Sequence, residues 1–323
     1  MAADLGDRPH RDITLICAEL TPALELLQSH GLRLDVIFPA DEPHSAILSS
    51  KGQRVRLTSR PDAPPPSDEL PDFEPAFVLT HAGSTGGEGR AGMHYRDLIP
   101  SRLGGRYIAS HIAVPDGPVA DWVHYHQLAF QLIVVRRGWV RLVYEDQGEP
   151  FVMKAGDVIL QPPQIRHRVL EAGDDLEVVE ISCPALHPTF AEHEMALPNG
   201  FGETARRWSG QLFLHFLADD AEWSRFHGGE GVETNLDEAS GGIANAHWLR
   251  PAGNEAIALP PSQGELVFGF VAEGRGLLER AHERHSIGPA DSFVIPPDES
   301  WRLSGLSSDF RLLLVTSIRP ETA

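Results

Sequence analysis

Residues 122–138 read WVHYHQLAFQLIVVRRG, and residues 156–167 read GDVILQPPQIRH. His124 and His126 flank Tyr125. Side chains alternate along a strand, so both imidazoles point to one face and Tyr125 to the other. His167 follows the turn-forming run from Pro162 to Arg166 and stands beside a further strand candidate. Three neutral imidazoles gathered in this way suit Fe, Mn, Zn, Ni or Cu.

From residue 100 onward, short segments rich in β-branched and aromatic residues are punctuated by Gly, Pro and Asp. RYIASHIAV, AFQLIVV, WVRLVYE, DVILQP, HRVLEA and LEVVEIS are the clearest. This is the pattern of a sandwich or barrel. Residues 211–318 repeat it. Placing Gly138 on Gly274, and allowing gaps of one or two residues elsewhere, brings Pro162 and Pro163 onto Pro296 and Pro297. An interval of about 135 residues means a duplicated domain, not a solenoid. In this register Pro260, Ser262, Val267 and Trp301 stand where the first half has His124, His126, Gln131 and His167. None is a usual metal ligand, so the second half is expected to be metal-free with an apolar interior.

The first half resembles the cupin superfamily. That family's first motif is HxH, four residues, a carboxylate, six residues, Gly; here it reads His124-Tyr125-His126, four residues, Gln131, six residues, Gly138. The second motif begins at Gly156 and reaches His167 at the expected offset, with Gln164 replacing the turn glycine and Glu171 the closing Asn. The resemblance implies a mainly β fold of two cupin (jelly-roll) barrels, with His124, His126 and His167 as metal ligands and Gln131 either as a fourth ligand through its carbonyl oxygen or as the group that orients a metal-held water, in both cases without bringing charge. Similar three-His-one-Gln cupins include hydroxynitrile lyases and polyketide cyclases, and three-His cupins include thiol and diketone dioxygenases. It thus implies one divalent metal ion per chain, Fe(II) ahead of Mn, Zn or Ni, and a dioxygenase acting on a small organic molecule. A Mn-, Zn- or Ni-dependent lyase or isomerase and a non-catalytic ligand-binding cupin are the alternatives. Gln131 and Tyr144 are the candidates for a catalytic role, Tyr144 as a polar handle. No separate acid–base residue is evident, which tilts the reading toward redox chemistry. Phe130, Ile133, Val135 and Val169 are expected to wall the site. Alternation sends Arg166 and Arg168 outward unless the strand is bulged, and His111, His187, His193, His215 and His247 are expected at the surface or in packing.

Residues 1–60 read as a small α/β module of order βαβββ, with a helix opened by Thr21 and Pro22 and stopped at Gly31. The order resembles one module of the vicinal oxygen chelate (glyoxalase-like) family, but its strands offer no convincing ligands. A structural or dimerising role is expected, hence a homodimer. Residues 61–99, with PDAPPPSDELPDFEP and HAGSTGGEGRAG, read as a Pro/Gly-rich linker. The first barrel is then expected over 100–188 and the second over 189–323. The 46 acidic against 27 basic residues give a formal net charge of −19, which disfavours a nucleic-acid partner. Two cysteines, no apolar h-region in MAADLGDRPHRD and no long apolar run imply a cytoplasmic protein that does not enter membranes.

Overall fold

The computed structural model describes residues 13–67, 69–88, 92–203 and 205–318. Strands dominate, as the sequence pattern requires. Among the described residues no helix is long and apolar enough to cross a membrane.

The first barrel is built around two long antiparallel partners, Phe130–Tyr144 and His167–Cys183. Leu132 and Val134 face a core shared with the second barrel, whereas Ile133 lines a cavity inside the first. The strand is buried on both faces, so its sequence runs apolar without clean alternation. The second barrel closes around Phe293, Trp301 and Phe310. Trp301, the counterpart of His167, packs edge-on against Phe293 with centroids 5.4 Å apart. Between the barrels, Phe268, Phe270, Leu313 and Val315 meet Leu132, Leu160 and Val179 in one continuous core.

The duplication is visible in backbone detail. Gly138 and Gly274 adopt φ of +74° and +73°. A Cβ on Gly138 would lie 2.6 Å from the Gly173 carbonyl oxygen, and one on Gly274 would lie 2.5 Å from Phe310 Cα. Only glycine satisfies both the φ and the close approach. Gln164, in place of the family's glycine, keeps the left-handed turn at φ +64°, and its counterpart Asp298 does the same at +61°. The Gln164 N–H donates to the His126 carbonyl at 3.0 Å, which ties that turn to the HxH strand.

The halves also exchange strands. Val78–Thr80, which precedes the first barrel, pairs with Ser292–Val294 of the second. Leu214–Phe216, which follows the first barrel, pairs with Val158–Gln161 of the first. Each exchanged strand is held by an equivalent aspartate. Asp291 accepts from the Ala82 and Gly288 N–H groups at 2.7 and 2.9 Å. Asp157 accepts from the Ala218 and Lys154 N–H groups, both at 2.8 Å. The stretch 61–99, expected as a linker, therefore carries three strands, Val78–Thr80, Gly87–Glu88 and His94–Asp97, and buries Leu98 and Ile99 in the shared core. Its proline and glycine content masked these short strands. Residues 89–91 of the glycine-rich loop lie outside the described residues.

The N-terminal module has the expected order. Its helix spans Leu20–Ser29, with Glu19 at the cap and Gly31 at φ +85° beyond its end. Thr21 and Pro22 thus lie in the first turn rather than capping it. Arg33–Phe38 pairs with Thr189–Ala191, so the module's sheet continues into that of the first barrel.

Candidate metal centre

The strand His124–His126 lies between Thr189–Ala191 and the start of His167–Cys183, with His124 directly opposite His167. Alternation turns both histidines inward and sends Tyr125 outward, where it stacks on Phe190 at 5.1 Å. His124, His126 and His167 are 1%, 9% and 6% exposed, and one ring nitrogen from each lies within 4.8 Å of the others. This is the one such cluster among the described residues.

Neighbouring groups fix the rings. His124 Nδ1 lies 2.7 Å from the Trp122 carbonyl and His167 Nδ1 3.0 Å from the Ile165 carbonyl. A carbonyl oxygen only accepts, so each Nδ1 carries the proton and each Nε2 keeps its lone pair. The Asp121 carboxylate lies 3.5 Å from His124 Nδ1 and also accepts from the Val169 N–H at 2.9 Å. His126 Nδ1 is 3.0 Å from Thr189 Oγ1. Buried imidazoles with this outer support are the donor set of a divalent metal site, and the residues fit one ion.

Gln131 is buried and lines the same cavity. Tyr144 OH donates to Gln161 Oε1 at 2.7 Å, and Gln161 Nε2 donates to Gln131 Oε1 at 2.6 Å. A carbonyl oxygen has two lone pairs, so Gln131 Oε1 retains one. Tyr144 stacks on His167 at 5.4 Å. Burial, followed by the nearby Glu180, pushes its phenol well above the usual range, so it remains a neutral donor.

The cavity measures about 110 Å³. Ile133, Leu142, Val169 and Val178 make much of its wall. Phe130 and Val135, expected there, are core residues instead, on the shared core and the barrel's own core respectively. Arg166 does face outward, pairing with Glu192 at 3.1 Å and lying over Tyr125. Arg168 corrects the alternation argument: it lines the cavity, just before a register shift opposite Arg141 and Leu142. Irregular pairing of this kind re-aims side chains.

Other cavity residues escaped the sequence reading. Gln161 stands opposite Gln131 across a strand pair, a relation legible only once the register is known. Glu180 is a charged residue inside the apolar run EVVEIS, which was a usable signal. His187, expected at the surface or in packing, is buried and lines the cavity. The N-terminal module contributes Ile37, Ala40 and Asp41 to the wall.

Residues 110–182 match the family described as the cupin domain. Among solved structures, a variant of salicylate 1,2-dioxygenase from Pseudoaminobacter salicylatoxidans is similar, with TM-score 0.57 and 15% identity over 77% of this chain and 85% of that one. An oxalate decarboxylase from Lactobacillus farciminis gives TM-score 0.57 and 12% identity over 81% and 89%. The protein Ylba from E. coli gives 0.54 and 11% over 79% and 96%. No curated protein matches the chain in sequence. The chain shares the two-barrel fold of these structures, and the stretch of its first barrel over residues 110–182 matches the cupin domain.

Proposed function

We propose that the chain is a metal-dependent enzyme acting on a small, largely apolar organic molecule, with dioxygenation as its reaction and Fe(II) as its metal. The observation that carries this reading is the buried three-histidine cluster opening into a small apolar cavity. When bound, the metal would supply a Lewis-acidic, redox-capable centre with coordination positions open to substrate and dioxygen. His124, His126 and His167 would hold it, with Gln131 as fourth ligand or as the orienting group beside it. Because Gln131 is neutral, the site would leave the ion's charge undiminished toward a bound anion. Tyr144 and Gln161 hold the Gln131 amide in place, and Ile133, Leu142 and Val169 exclude water from the substrate.

One feature favours lyase or isomerase chemistry as a second reading: His187, which no sequence motif singled out, lines the cavity and offers a separate acid–base group. The test is anaerobic loading with Fe(II), followed by an oxygen-uptake screen with diketones, catechols and thiols. Stoichiometric uptake supports the dioxygenase. Turnover with Mn or Zn in the absence of uptake replaces it with the lyase.

A further inference from the structure

Two polar atoms in the cavity have no part in holding a metal. His187 is 2% exposed, and its Nδ1 lies 3.0 Å from the Pro184 carbonyl. That contact places the proton on Nδ1, leaving a lone pair on Nε2. Nε2 is buried and has no hydrogen-bond partner. Asp41 is the second group. Its Oδ2 accepts from Arg102 at 2.7 Å, while its Oδ1 is buried without a partner.

These atoms come from different parts of the chain. Asp41 lies in the connection between Arg33–Phe38 and Ser45–Ser50 of the N-terminal module, and His187 follows the long strand His167–Cys183. The Ala40 N–H donates to the His187 carbonyl at 3.1 Å, which sets the two side by side. The His187 ring meets the His126 ring edge-on at 5.4 Å, which puts it next to the three-histidine cluster, and Asp41 lines the same cavity. A buried acceptor without a donor bears its desolvation cost uncompensated. Two such acceptors on one wall mark the place of a missing donor. Arg102 reaches Asp41 through Oδ2 and also donates to Asp97, and it makes no hydrogen bond to Asp41 Oδ1.

We infer that His187 Nε2 and Asp41 Oδ1 form a hydroxyl-binding subsite that accepts hydrogen bonds from the O–H of an alcohol or phenol whose remaining surface is apolar. This deepens the reading above by naming the substrate class, and it rests on that reading for the claim that the ligand is a substrate. It also gives the N-terminal module a role as one wall of the site.

The test uses phenol and toluene, which share a shape and differ in one donor. Isothermal calorimetry on the full chain should show phenol binding about tenfold more tightly than toluene, whereas a purely apolar pocket prefers toluene. His187→Leu should reverse that order, His187→Gln, which restores an acceptor, should keep phenol ahead, and Asp41→Ala should narrow the gap. Toluene equal to or ahead of phenol in the wild type overturns the subsite. So does a phenol preference that survives both His187→Leu and Asp41→Ala. The same order is expected with and without metal, because neither acceptor is a ligand. Failure of the metal reading would therefore show in metal content alone and leave this order intact.

Discussion

His124 and His167 face one another across an antiparallel pair, with ring centroids 4.1 Å apart. With Nδ1 of each ring committed to a backbone carbonyl, both offer Nε2, and together with His126 they would hold one divalent cation. The second barrel has Pro260 and Trp301 at the equivalent places. Metal analysis of the purified chain should therefore find one equivalent, and His126→Ala should lose it. Two equivalents in the parent, or stoichiometric metal in the variant, would refute the one-centre assignment.

Tyr144, Gln161 and Gln131 form a chain of two short hydrogen bonds ending beside the histidines. Tyr144→Phe strands the Gln161 oxygen and frees the Gln131 amide to turn. The variant should lose about 1–2 kcal/mol of stability in urea denaturation. If Gln131 is a ligand, metal affinity should also fall by about tenfold, the effect expected of losing an outer-shell partner. An unchanged metal affinity would place Gln131 outside the coordination shell.

The sequence exposed the centre because HxH spacing depends on strand alternation alone, and His167 on a fixed offset from a turn. It exposed the duplication because Gly138 and Gly274 answer the same steric demand. The exchanged strands were hidden for a physical reason. Val78–Thr80 and Leu214–Phe216 are three residues each, and their partners lie across the barrel boundary. No local pattern encodes a partner so distant. His187 was missed because its place depends on the loop that carries it and on the N-terminal wall against it. Arg168 was misplaced because alternation assumes regular pairing, and the pairing shifts beside it.

The strand exchange makes the halves interdependent. Residues 1–200 expressed alone would leave Val158–Gln161 without its outer partner and expose the apolar face that meets Phe268 and Phe270. Unpaired edges and bare apolar faces associate. Such a fragment should aggregate, and extending it to residue 222, which restores Leu214–Phe216 and the Ala218 bond to Asp157, should reduce aggregation measurably by light scattering. Equal behaviour of the two fragments would show that the exchanged strand contributes little.

Glu177 joins three neighbouring strands of the first barrel: it meets His111 Nε2 at 2.9 Å and pairs with Arg136. The hydrogen bond from His111, and then the Arg136 charge, outweigh burial and hold its carboxyl down at about 2, against an ordinary 4.5. A carboxyl depressed in the folded state stabilises the fold above its unfolded pKa, and that stability drains as pH falls through the folded value. The window here runs from about pH 4.5 down to about pH 2. The gap corresponds to at most about 3 kcal/mol, and partial exposure reduces this to about 2. Urea denaturation at neutral pH and near the bottom of this window should show Glu177→Gln less stable than the parent at neutral pH, with the difference narrowing in acid. A difference that stays constant across the window would mean that Glu177 contributes through packing rather than through its charge.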